Sequence, residues 1–73
     1  MKVIELELQG EFIELNQLLK LAGLCASGGA GKMLVAQGRV TVDGNIELRK
    51  TCKIRAGQVV VFEDQRIDVI GTN

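Results

Sequence analysis

The sequence predicts an α+β domain, two short helices packed on a small, mostly antiparallel sheet. Apolar residues recur at every second position near the start, every third or fourth in the middle, and every second again towards the end. Glycines stand where the period changes, at Gly10, Gly23, Gly38 and Gly57. Between two of the later apolar runs, Asp43-Gly44-Asn45 offers the positive φ values of a tight hairpin turn.

Each element follows from these signals. Residues 2–8 alternate, with Val3, Glu5 and Glu7 facing one way and Ile4, Leu6 and Leu8 the other, the period of a half-buried strand. From Phe12 the spacing becomes Phe12, Leu15, Leu18, Leu19, Ala22, which predicts an amphipathic helix of about ten residues stopped by Gly23. Ser27 is an N-cap signal for a second helix starting near residue 28, with Ala30, Met33 and Leu34 at helical spacing, Val35 and Ala36 widening the stripe, and Gly38 ending it.

Next, Val40 and Val42 alternate with Thr41, and after the turn Ile46 and Leu48 resume the apolar beat. Continued through Cys52 and Ile54 in an extended chain, that parity puts Arg49, Thr51, Lys53 and Arg55 together on the solvated side. Ala56-Gly57 turns the chain, residues 58–62 form a buried strand, Glu63-Asp64-Gln65 turns again, and residues 66–70 form the last strand.

With 73 residues the chain is one small domain spanning 1–73. A domain of this size buries about 60% of the surface its unfolded chain exposes, which leaves little room for a large substrate cleft. Near the N-terminus a single lysine is followed by glutamates alternating with aliphatics, unlike a secretory or transit signal. No apolar run approaches the ~20 residues of a bilayer span, so the expectation is a soluble cytoplasmic protein with no membrane partner.

Net charge is zero, yet it is polarised. Both ends are acidic: Glu5, Glu7, Glu11 and Glu14 oppose Lys2, and Glu63, Asp64 and Asp68 oppose Arg66. The middle holds Lys20, Lys32, Arg39, Arg49, Lys50, Lys53 and Arg55 against Asp43 and Glu47, an excess of five positive charges. Gathered on one face, these would make a basic patch on a neutral molecule, and local potential is what a polyanion feels at short range.

The absence of histidine removes Ser-His and Cys-His nucleophiles and a histidine base. Cys25 and Cys52 lie outside any Cys-x-x-Cys spacing and read as buried free thiols, with a redox switch as the alternative; no metal or cofactor is expected. The nine acids are spread through exposed-looking positions, so the protein is not expected to be an enzyme or to take a small-molecule substrate.

Gly28-Gly29-Ala30-Gly31-Lys32 suggests a phosphate-binding loop, but that motif needs a glycine five residues before Gly31 and a hydroxyl after the lysine. Ala26 and Met33 stand there. Three glycines in the first turn of a helix call for another reason, since each costs about 1 kcal/mol relative to alanine in a helix interior. Either the two helices cross closely here or the first-turn N–H groups need open approach by an anion.

Ser27 at a helix start, a small residue three positions on, then a basic residue and aliphatics form the first part of a longer pattern. It continues through Gly38-Arg39-Val40, Val42-Asp43-Gly44, Ile54, Gly57-Gln58 and Val60. Together these resemble the alpha-L RNA-binding motif, the domain named after small-subunit ribosomal protein S4, over about residues 12–62. The resemblance is closest to small stand-alone bacterial members, in which a basic run like Arg49-Lys50-Thr51-Cys52-Lys53 follows a hairpin. It implies an RNA-facing surface of Ser27, Lys32, Arg49, Lys50 and Lys53, which Arg55 extends on the parity above. Where the family usually carries an arginine after the serine, Gly28 stands instead.

The expected partner is therefore structured RNA, ribosomal or tRNA-like, bound by a monomer. Phe12 and Phe62, the only aromatics, sit at core-like positions, leaving little to stack on bases. Two other classes compete. A β-grasp sulfur carrier requires a Gly-Gly end, whereas this sequence ends Gly71-Thr72-Asn73. A protein-interaction module could use the same basic patch to dock an acidic partner.

Overall fold

A computed structural model describes residues 1–71; Thr72 and Asn73 lie outside the described residues, and with them most of the tail weighed above. The elements are β1 (Lys2–Glu7), β2 (Ile13–Glu14), α1 (Leu15–Leu21), α2 (Gly28–Ala36), β3 (Val40–Val42), β4 (Asn45–Ile46), β5 (Lys53–Ile54), β6 (Val59–Phe62) and β7 (Gln65–Ile70). Five strands form one sheet in the order β1-β7-β6-β3-β4, antiparallel except where β1 runs parallel to β7. β2 and β5 make a separate two-stranded ribbon.

Alternation along the strands decides what is buried. Val40, Val42, Val60, Phe62, Ile67 and Val69 turn inward and meet Leu15, Leu18, Leu19 and Val35 from the helices. A fully buried leucine of this kind contributes about 1.5–3 kcal/mol, so the stripe of α1 secures the helix layer to the sheet.

The family-like residues between 38 and 60 are mostly structural. Gly38, with φ of 72°, ends α2, and Asp43 and Gly44, with φ of 51° and 88°, make the two-residue turn of the β3–β4 hairpin. The Asp43 carboxylate accepts hydrogen bonds from the Val59 N–H and the Gln58 side chain. Gln58 also accepts from the Arg55 N–H, at 2.8 Å, so it ties the turn after β5 to the hairpin.

Three local expectations are corrected. First, α1 begins at Leu15, not near Phe12, because residues 13–14 pair with β5 before the helix starts. Second, Met33, Ile46 and Leu48 are exposed. The two-residue turn puts Thr41 opposite Ile46, so Ile46 shares the outer face of Thr41 and not the inner face of Val40 and Val42. Third, the chain does not stay extended from Ile46 to Ile54: it leaves the sheet and closes a turn in which the Cys52 N–H donates to the Arg49 carbonyl.

Candidate nucleic-acid interface

The first turn of α1 organises the region. Its N-cap residue, Glu14, makes no side-chain cap, and the helix-start N–H groups find partners elsewhere in the chain. Leu15 N–H donates to the Cys52 carbonyl at 2.8 Å and Asn16 N–H to the Lys50 carbonyl at 3.2 Å. A helix end with unmet donors thus anchors the basic loop through the loop's own backbone.

On another side of the same turn sits α2. Asn16 is buried, its Nδ2 donates to the Gly28 carbonyl at 3.3 Å, and its Oδ1 has no hydrogen-bond partner. A Cβ on Gly31 would lie 2.6 Å from the Asn16 carbonyl oxygen, and one on Gly28 would lie 2.7 Å from the Gln17 amide. Close helix crossing therefore explains Gly31, and in part Gly28. Nothing crowds Gly29. Asn16 is the positioning residue that sequence reasoning missed; a polar residue between Leu15 and Leu18 was the available signal.

All six expected site residues are exposed. Ser27 caps α2, its Oγ accepting from the Ala30 N–H at 3.1 Å, and Lys32 follows one turn later on the outer side. Arg49, Thr51, Cys52 and Lys53 line an open depression of about 440 Å³. Lys50, whose direction an extended strand would have reversed, is outward because the segment is a turn. Arg55 leaves the end of β5 and reaches back to the Glu11 carbonyl. Arg49 and Lys50 stand on the turn and Lys53 and Arg55 on β5 and just past its end, while α2, which carries Ser27 and Lys32, meets the same turn of α1 separately, through the Gly28 carbonyl and the Asn16 amide.

Two acids enter this region. Glu47 grips Arg49 through both carboxylate oxygens, at 2.9 and 3.0 Å, and also accepts from the Arg49 N–H. The guanidinium hydrogen bonds lower the Glu47 carboxyl from 4.5 to about 2, and Arg49 is raised in turn by the same bond. Glu14 stands in register with Lys53 but makes no ion pair with it. Lys32, Lys50, Lys53 and Arg55 have no ion-pair partner among the described residues. Away from the loop, Arg39 is paired with Glu63 and lies over the Phe62 ring, and Arg66 is paired with Asp68.

The cysteines are half-buried and unbridged, more open than expected. Burial pushes the Cys52 thiol up, with the Glu47 charge adding to it, which disfavours the thiolate. Phe12 is a second correction: it is 39% exposed, with the Lys53 ammonium 4.9 Å and the Arg55 guanidinium 5.8 Å from its ring centre.

Comparison with known proteins bears on the same surface. The family model of the S4 domain matches residues 6–70. YbcJ of Escherichia coli (strain K12) is 48% identical over 58 residues, covering 80% of this chain and 83% of that protein. The tyrosine–tRNA ligase of Ralstonia nicotianae is 40% identical over 62 residues, covering 85% of this chain but 16% of the ligase. The solution structure of Escherichia coli YbcJ, described as revealing an alpha-L motif involved in RNA binding, matches with a TM-score of 0.67 at 43% identity, covering 96% of this chain and 87% of that one.

Proposed function

The chain belongs to the S4 domain family, and from that premise we propose that it binds structured RNA, ribosomal or tRNA-like, without catalysing a reaction. One observation carries the reading: Arg49, Lys50, Lys53 and Arg55 are all exposed within one short segment, and among the described residues an acid holds Arg49 but none of the other three. Free cations on a loop anchored by its backbone suit a polyanion of fixed phosphate spacing. The relative YbcJ, whose structure is described by an RNA-binding motif, supports the same reading.

Binding proceeds by charge neutralisation. Each lysine or arginine that meets a phosphate displaces condensed counterions, and the gain in ion entropy drives association. Lys50 and Lys53 supply point charges, Arg49 and Arg55 planar donors, and Lys32 extends the contact across α2. The protein acts in this reading as a cytoplasmic monomer in ribosome or RNA metabolism.

Fluorescence anisotropy with a short RNA hairpin, read across a salt series, tests it. With about four phosphates engaged, the logarithm of affinity should fall against log salt with a slope of roughly −3 to −4, and Lys50→Gln should reduce that slope by about one. A slope near zero overturns RNA binding. A partner retained after RNase treatment would instead favour docking of an acidic protein on the same patch.

A further inference from the structure

We infer that Phe12 is a positioning residue that gathers Lys53 and Arg55 into a preformed seat for an RNA phosphate, an inference that rests on the RNA-binding reading above. The β2–β5 register pairs Ile13 with Ile54 and Glu14 with Lys53; carried one residue further, it sets Phe12 opposite Arg55. Ile54 is fully buried, so the alternate residues Phe12, Glu14, Lys53 and Arg55 belong to the outward face of the ribbon.

On that face the ring draws both cations to itself, neither further than 5.8 Å from its centre. The negative face of an aromatic quadrupole attracts a cation. Unlike a carboxylate, it leaves the cation's charge uncancelled. Glu47 and Arg49, a few residues away, show the contrast: that arginine is fixed in place but largely neutralised by its partner. Lys53 and Arg55 are fixed and remain charged. Two like charges held together repel, and a phosphate shared between them relieves the repulsion. Phe12 also lines an apolar depression with Leu8, Ile13 and Leu21, but the two cations over its ring are accounted for by the ligand they are held for.

The test compares Phe12→Leu, Phe12→Trp, the pair Lys53→Gln/Arg55→Gln, and the pair combined with Phe12→Leu, using the same RNA hairpin and following thermal melting alongside. Phe12→Leu should weaken binding about three- to tenfold, from the loss of two exposed cation–π contacts, while the protein stays folded at the binding temperature, as melting would show. Phe12→Trp should restore it, because indole is the stronger cation acceptor. In the background lacking both cations, Phe12→Leu should have no further effect. Equal binding by Phe12→Leu and the parent, or failure of Phe12→Trp to restore it, overturns the positioning role. An undiminished loss without the cations also overturns it, since the ring would then be touching RNA itself. Failure of the parent protein to bind the hairpin at all would instead remove the RNA-binding reading, and this inference with it.

Discussion

Residues 27–32 and residues 47–55 both pack against the first turn of α1, but by different means. The first segment is held by backbone closeness, with Gly31 under the Asn16 carbonyl and Gly28 bonded to the Asn16 side chain. The second is held by carbonyls it lends to a helix end, which leaves its basic side chains on the outside. Glycine enrichment suggests a ligand cradle, yet here it marks where two helices touch. In the reading proposed above, binding falls to the segment with the least regular pattern, because a turn whose backbone is already satisfied can spend its side chains on solvent and ligand.

The largest expected effect breaks the first segment. Gly31→Ala places a methyl group where the Asn16 carbonyl now sits, and backbone cannot yield as a flexible side chain can. Overpacking of this kind costs about 1–3 kcal/mol or more, which in a domain of this size lowers Tm by on the order of 10 °C. Thermal denaturation followed by circular dichroism would check it. A Tm equal to that of the parent would show that α1 and α2 do not meet at Gly31.

That close approach was one of two explanations open from composition, and only geometry could choose between them. Periodicity made the strands and the cores of both helices legible, since Leu15, Leu18, Leu19 and Val35 are buried at the positions their spacing gives. It failed where parity is set by partners. Ile46 follows the hairpin register, and Phe12 belongs to a ribbon whose other strand lies about forty residues on, a pairing that local spacing does not reveal. The cations were legible as residues, whereas their ion-pair state was not: Arg49 is paired with Glu47 and Lys53 with no acid among the described residues, although they stand four positions apart.

A smaller effect, of opposite sign, separates packing from ligand approach within the glycines. Gly29 has ordinary helical space around it and no positive φ. Gly29→Ala should therefore stabilise the protein by about 0.4–1 kcal/mol, read as a rise in the urea midpoint at unchanged slope. Hairpin affinity should stay the same. If stability rises while affinity falls, RNA approaches the helix start as well, and both segments share in binding.

The smallest effect lies within the loop, between the cation held by an acid and those held by a ring. Because Glu47 titrates at about 2 when folded against 4.5 otherwise, its pairing favours the fold above pH 4.5 and loses that contribution as pH falls through 2. Arg49 is 77% exposed, so solvent screens the pair and the stability change is small. A carbon-detected NMR titration should place the Glu47 midpoint near 2. Glu47→Gln should free Arg49, raise hairpin affinity by less than about tenfold and steepen the salt slope by about one. If affinity and slope do not move, Arg49 lies outside the RNA contact, and the loop binds through the cations that no carboxylate restrains.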